Sequence, residues 1–239
     1  MTPRSELESA IVQGEVQRVR ELLKQLDELD VNRNARDSEW QALKASEAPW
    51  RLSHLALVTA GGKSLVHLAC AAGSSTVLAL LLDEARGNLI NCDSMERLPL
   101  HLAVESGDLA TVSLLLERLA AKGWAQRVLG MADSRHWTPI ALACAKPALL
   151  GALLDALPAD PGDVARSLRR TPLSPFGLLH RAVLGRSAAC VAHLLATGAA
   201  SELLRDVDGA GRTALVAACA EGETDIAMTL IGAKVSRFV

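Results

Sequence analysis

The segment S-L-V-H-L-A at Ser64–Ala69 returns as L-P-L-H-L-A at Leu98–Ala103, which sets His67 and His101 34 residues apart. A glycine follows each segment at the same offset (Gly73, Gly107), and then a leucine triplet (Leu80–Leu82, Leu114–Leu116). Repetition at this period marks stacked supersecondary units, each of which buries its apolar flank only against a neighbour. Such an array can use all 239 residues as one elongated body. The composition agrees: half the residues are apolar, yet 3% are aromatic and none is tyrosine. A core built from Ala, Leu, Val and Cys suits thin helices packed closely together.

Several function classes are excluded by bulk properties. A net charge of -2 and a pI near 6.3 leave no dominant basic face for nucleic acid. No apolar run has the length needed to span a bilayer, so no membrane insertion is expected. The polar, acidic start M-T-P-R-S-E-L-E-S is not a secretory signal. The expectation is an intracellular chain, cytoplasmic or nuclear. The five cysteines (Cys70, Cys92, Cys144, Cys190, Cys219) show no close spacing, and their odd number argues against a disulfide framework.

The motif resembles the ankyrin repeat, in which T-P-L-H-x-A opens a first helix, a glycine precedes a second, and a β-hairpin loop leads onward. The resemblance implies a mainly α solenoid of about six helix-turn-helix units with β-hairpin or loop connections. Aligned on the histidine, the register runs His67, His101, Ala141, His180 and Val216, at intervals of 34, 40, 39 and 36 residues, so insertions are expected in the loops. The family's D-x-x-G turn is whole at Asp208–Gly211, whereas Glu96 and His136 replace the glycine after Asp93 and Asp133. An N-terminal unit is read from Leu7, Ala10, Ile11, Gly14, Val19, Leu22 and Leu23, with D-V-N at Asp30–Asn32 as its hairpin ending. The units fall at about 4–32, 62–92, 93–132, 133–157, 175–207 and 208–236 within a single domain, 1–239. In the family, threonine and histidine share the bonds that fix the turn. Here that pair survives only as Ser64 with His67, and each lost pair removes about 1 kcal/mol.

Two connections are too long for hairpins. Residues 33–61 hold Trp40, Trp50 and a helix-like Trp40–Ala48 segment, and residues 158–174 carry prolines that preclude a continuous helix. Pro147 stands where the fourth unit should have its glycine. At the C-terminus, G-A-K-V-S at Gly232–Ser236 resembles the lead into another repeat, and the helix before it is too apolar for a solvated cap. Two expectations stay open: further C-terminal domains of the same chain, or a partner packed there.

Catalytic and ligand motifs give way to the register. A-G-G-K-S at Ala60–Ser64 lacks the phosphate loop's first glycine, since Leu57 occupies that place. Cys70, Cys144 and Cys219 share one small inter-helix slot in separate units, which predicts buried packing and no common metal site. His67 and Cys70 are helix neighbours with no orienting third group, so no enzyme activity and no cofactor are expected. The run R-S-L-R-R-T-P at Arg166–Pro172 offers Ser167 or Thr171 as a candidate phosphoacceptor among arginines, or else a solvated loop.

Ankyrin stacks bind proteins on a concave face made of hairpin tips and first-helix surfaces. The resemblance therefore implies a non-catalytic module that binds a protein partner there. The position before the threonine holds Lys63, Arg97, Trp137, Phe176 and Arg212; the tips add Met95, Arg135 and His136; helix ends add Glu105 and Lys146. Trp, Met and Arg in one exposed row have the composition of binding hot spots, with Trp137 as the expected anchor. The alternative reading is a targeting or substrate-recruiting part of a larger enzyme, effector or ubiquitin-ligase component.

Overall fold

A computed structural model of the chain describes residues 3–34, 61–85, 89–157, 168 and 176–235. The elements are helices that come in pairs. The first pair is α1 (Pro3–Gln13) and α2 (Val16–Asn34), followed by α3 (Leu65–Ala71) with α4 (Ser75–Ala85). The third pair is α5 (Pro99–Ser106) and α6 (Leu109–Ala121), with a short helix α7 (Ala125–Gly130) behind it. Next come α8 (Pro139–Ala143) with α9 (Pro147–Asp155), and α10 (Leu178–Leu184) with α11 (Ala188–Ala196) and the short α12 (Ala200–Arg205). The last pair is α13 (Ala214–Ala220) and α14 (Thr224–Val235).

First helices stack on first helices in the order α1, α3, α5, α8, α10, α13, and second helices on second helices from α2 through α14. The seam between the rows is one continuous apolar core, from Leu7 and Ile11 through Leu78, Leu100, Leu115, Ile140 and Leu150 to Ile226 and Leu230. Each fully buried leucine or isoleucine contributes roughly 1.5–3 kcal/mol, so the core, more than helix propensity, holds such short helices.

Local chemistry sets the ends of the helices. Ser64 caps α3, its hydroxyl accepting from the His67 amide, and Thr138 caps α8 through the Ala141 amide. Pro99, Pro139 and Pro147 sit in first turns, where no helical N–H is lost. Asp108 and Ser187 cap second helices α6 and α11.

Four expectations change. Asp30–Asn32 is not a hairpin ending: α2 runs helical through Asn34, with no glycine or proline between Glu15 and Asn34 to stop it. The long 40-residue interval between His101 and Ala141 contains helix α7 rather than irregular loop, and α12 plays the same part after α11. No strand forms among the described residues, where the only β pairing is a bridge between Val207 and Thr213, so the connections are turns rather than extended hairpins. Finally, α14 stays helical through Val235, across the stretch read as a lead into another repeat. Trp40, Trp50, Ser167, Thr171 and the arginines of the 166–172 run lie outside the described residues.

Of the three slot cysteines, Cys70 and Cys144 are buried, and burial pushes the Cys144 thiol up to about 12. Cys219 is exposed, against expectation. Its slot is buried only when a following pair covers it, and no described pair follows α13 and α14. Val216, Met228 and Ile231 are exposed on the same pair.

Candidate functional site

Three turns share one construction. In each, an aspartate carboxylate is almost wholly enclosed: Asp93, Asp133 and Asp208. Asp93 Oδ1 accepts from the Met95 and Arg97 amides at 2.8 and 2.9 Å, and Asp93 Oδ2 accepts from Arg97 Nε at 2.9 Å. Asp208 repeats this with the amides of Ala210 and Arg212 and with Arg212 Nε, all at 2.9 Å. Asp133 accepts from the amides of Arg135 and Trp137 at 2.9 and 2.8 Å, but its guanidinium comes from Arg135, whose Nε lies 3.0 Å away. A tryptophan therefore occupies the place of Arg97 and Arg212 without loss of the ion pair.

These bonds keep Asp93 and Asp208 ionised. Burial would raise the Asp93 carboxyl, but the Arg97 amide and guanidinium and the Met95 amide together hold it below the usual carboxylate range. The Arg212 amide does the same for Asp208, against the opposing effect of burial. The turn closes through a left-handed residue, Gly211 at φ +74° in the last turn. Glu96 and His136 take that conformation at φ +58° and +64°, so the aspartate's backbone bonds fix the turn even where the side chain is unfavourable.

The histidines join one pair to the next. His67 Nε2 lies 3.0 Å from the Arg97 carbonyl, His101 Nε2 3.0 Å from the Trp137 carbonyl, and His180 Nε2 2.8 Å from the Arg212 carbonyl. A carbonyl only accepts, so Nε2 carries the proton. Nδ1 is then the acceptor, from the Ser64 amide in His67 and from the Leu98 amide in His101. The His101 link thus survives without a threonine beside it. Desolvation holds His67 and His101 below their ordinary pKa, opposed by the carbonyls they face. At His180 the arrangement differs. Nδ1 is buried without a hydrogen-bond partner among the described residues, and a Cβ on Gly177 would collide with the Asp206 carboxylate. Asp206, from the turn that follows, fills the space a capping side chain would take.

The residues expected to meet a partner divide into several environments. Glu105, at the end of α5, bridges two turns: Oε2 lies 3.3 Å from Arg97 Nη1, and Oε1 2.8 Å from Arg135 Nη2. Lys146 turns inward, its ammonium donating to the Val104 and Glu105 carbonyls at 2.7 and 2.8 Å and so capping the C-terminal end of α5. Trp137 is half-buried, with the Arg181 guanidinium 3.5 Å and the Arg135 guanidinium 5.5 Å from its ring centre. Met95 is exposed and its carbonyl accepts from the Ser134 amide at 3.0 Å, while the Ser94 amide donates to the Gly61 carbonyl at 3.2 Å; successive tips are thus tied together. Arg212 is partly exposed and pairs with Asp208. Lys63, His136 and Phe176 are half-buried beside their turns.

Arg181 is the residue that sequence reasoning missed. It is buried at a slot of the first helix that holds Leu68, Leu102 and Leu142 in other pairs, and burial lowers its pKa. An arginine at a position that is leucine in three other pairs and Ala217 in the last, one residue after a register histidine, was the available signal. Among the described residues, no group of three His, Cys, Asp or Glu side chains is placed to hold a metal ion, and no helix is long and apolar enough to cross a membrane.

Comparison with known proteins agrees with this architecture. A family model described as ankyrin repeats, in three copies, matches residues 7–127, just over half of the chain. The chain belongs to the ankyrin repeat family. An ankyrin repeat domain from Acinetobacter baumannii is 16% identical over 95% of this chain and 97% of its own, with a TM-score of 0.66. A chain from the complex of a Bdellovibrio bacteriovorus predatory endopeptidase with an immunity protein is 18% identical over 95% and 97%, at 0.65. The ankyrin repeat domain of Bcl-3, a member of the IkappaB protein family, is 23% identical over 92% and 96%, at 0.60. At these identities the likeness shows the fold. No curated protein matches the chain in sequence.

Proposed function

We propose that this protein is a non-catalytic recognition module that binds a protein partner on the row formed by its turns and first-helix ends, the concave face of the stack. Ankyrin repeats serve in general as protein–protein interaction modules. The observation that carries the reading is the fixed array of turn side chains. Buried aspartates orient Arg97, Arg135 and Arg212, Glu105 links two of these, and Arg135 and Arg181 clamp Trp137. A surface ordered before binding loses little entropy on contact, so a modest set of contacts suffices. Met95 and the outer part of Trp137 supply the apolar contacts, and the guanidiniums supply orientation. The module acts inside the cell, where five unpaired cysteines stay reduced.

The test is a partner isolated from the native cell and titrated against variants. Trp137→Ala with Met95→Ser weakens binding at least tenfold, while Glu117→Ala on the second-helix side leaves it unchanged. Because Arg181 stacks on Trp137, each variant is checked by far-ultraviolet dichroism and a thermal melt. Equal affinity across all three proteins overturns the reading.

The second reading, a recruiting part of a larger enzyme or effector, is favoured by the exposed Val216, Met228 and Ile231. A catalytic body docked there would protect the α14 amides from exchange in the assembly.

A further inference from the structure

The turns at Asp93 and Asp133 contain their own model of a ligand. Glu105 stands four residues past the register histidine His101 and reaches the guanidinium of its own pair, Arg97, and that of the next, Arg135. Each of those arginines therefore holds a buried aspartate on one edge and the Glu105 carboxylate on another. Arg212 has the first half of this arrangement and not the second. Its Nε and Nη2 meet Asp208 Oδ2 at 2.9 and 2.8 Å, which orients the guanidinium from one side and leaves it more exposed than that of Arg97.

The register gives the two positions that correspond to Glu105 around the last turn: one in its own pair, as Glu105 stands to Arg97, and one in the preceding pair, as Glu105 stands to the turn that carries Arg135. In its own pair the residue four past the histidine slot is Ala220; in the preceding pair it is Leu184. Ala220 is exposed on α13, and Leu184 is 51% exposed at the end of α10. Where the turns at Asp93 and Asp133 are answered by an acid at this register position, the last turn has an exposed alanine and an exposed leucine. Asp208 is the one ion-pair partner of Arg212 among the described residues, and its charge is already engaged by the Ala210 and Arg212 amides.

We infer that Arg212, with Leu184 and Ala220, is a subsite for an acidic side chain followed by an apolar one on the partner protein. The partner's carboxylate takes the place that Glu105 fills between Arg97 and Arg135, and its apolar neighbour covers Leu184 and Ala220. A guanidinium held from behind meets a carboxylate with its geometry already set, which favours it over a lysine or a mobile arginine. This rests on the concave-face reading and adds the chemistry of what docks at one end of it.

The experiment is selection of a randomised twelve-residue peptide display library on the full chain. The strongest peptides, made synthetically with blocked ends, are then titrated against variants. The expected peptides share Asp or Glu beside Leu, Ile, Val, Met or Phe. Arg212→Gln weakens them at least tenfold. Ala220→Glu, which supplies an internal acid as Glu105 does, weakens them as much without lowering the melting temperature, an outcome that loss of folding would not produce. Arg212→Lys restores only part of the affinity. Peptides without an acid, or binding unchanged in Arg212→Gln and Ala220→Glu, overturn the subsite. If those peptides instead depend on Met95 and Trp137, the concave-face reading stands and only this subsite falls. If they depend on neither set, both fall.

Discussion

The junction between the third and fourth pairs and the junction beyond the sixth are built from the same register, and they differ in what answers each side chain. At the first, His101 donates to the Trp137 carbonyl, Lys146 caps α5, and Glu105 spans Arg97 and Arg135. At the second, the histidine slot is Val216, the inter-helix slot is Cys219, and both are exposed. A position in a solenoid takes its burial from the following layer as much as from its own side chain. The same small residue is core in Cys70 and surface in Cys219.

Substitution at the histidine slot gives the largest contrast. His101→Leu strands the Leu98 amide and the Trp137 carbonyl, and should cost about 2–4 kcal/mol in urea unfolding. Val216→Leu, at the same register, should change stability by less than about 0.5 kcal/mol. Equal effects would mean that the histidine links do not hold the stack together.

Acidification sharpens the point. His67 and His101 have pKa values lowered by folding, so below their unfolded value, about 6.5, the unfolded chain binds more protons than the native one. Stability is therefore full at neutral pH and falls as pH drops from 7 towards 5, by about 1 kcal/mol per pH unit for each histidine. Urea midpoints measured over that range should decline, and His101→Leu should make the decline shallower. A midpoint that rises on acidification contradicts the neutral, Nε2-protonated assignment.

A smaller effect than that of His101 is expected at Glu105. Its side chain is one-third exposed, so Glu105→Gln should cost about 0.5 kcal/mol and less in high salt. The same substitution should free Arg97 and Arg135 for an acidic peptide, which gives the turns at Asp93 and Asp133 the character assigned to Arg212. A gain in binding of such peptides at the earlier turns, read by titration, would tie the two ends of the comparison together.

The fold was legible because residue type and spacing coincide: histidine, glycine and leucine triplet return in step at His67 and His101. The histidine's true partner was not, because it is a backbone carbonyl in the next turn, and every residue carries one. Glu96 and His136 read as departures from D-x-x-G, yet their turns close normally because Asp93 and Asp133 bond the amides two and four residues on. The row of candidate residues was found by register, but register gives place and not engagement. Lys146 stands in the row and spends its charge on α5, and Arg181 lies outside it and braces Trp137. The hidden ends of α2 and α14 illustrate a further limit. A motif fragment such as D-V-N or G-A-K-V-S bends the chain only where something else stops the helix.

The turn at Asp133 is fastened differently from those at Asp93 and Asp208. Asp133 accepts its guanidinium from two residues away, whereas Asp93 and Asp208 accept theirs from four. The carboxylate thus tolerates two donors of different origin, and the position vacated is free to vary. Evolution can trade an arginine for a tryptophan at the rim of the stack without unfastening the loop beneath it, which makes that rim a permissive place for new recognition to arise.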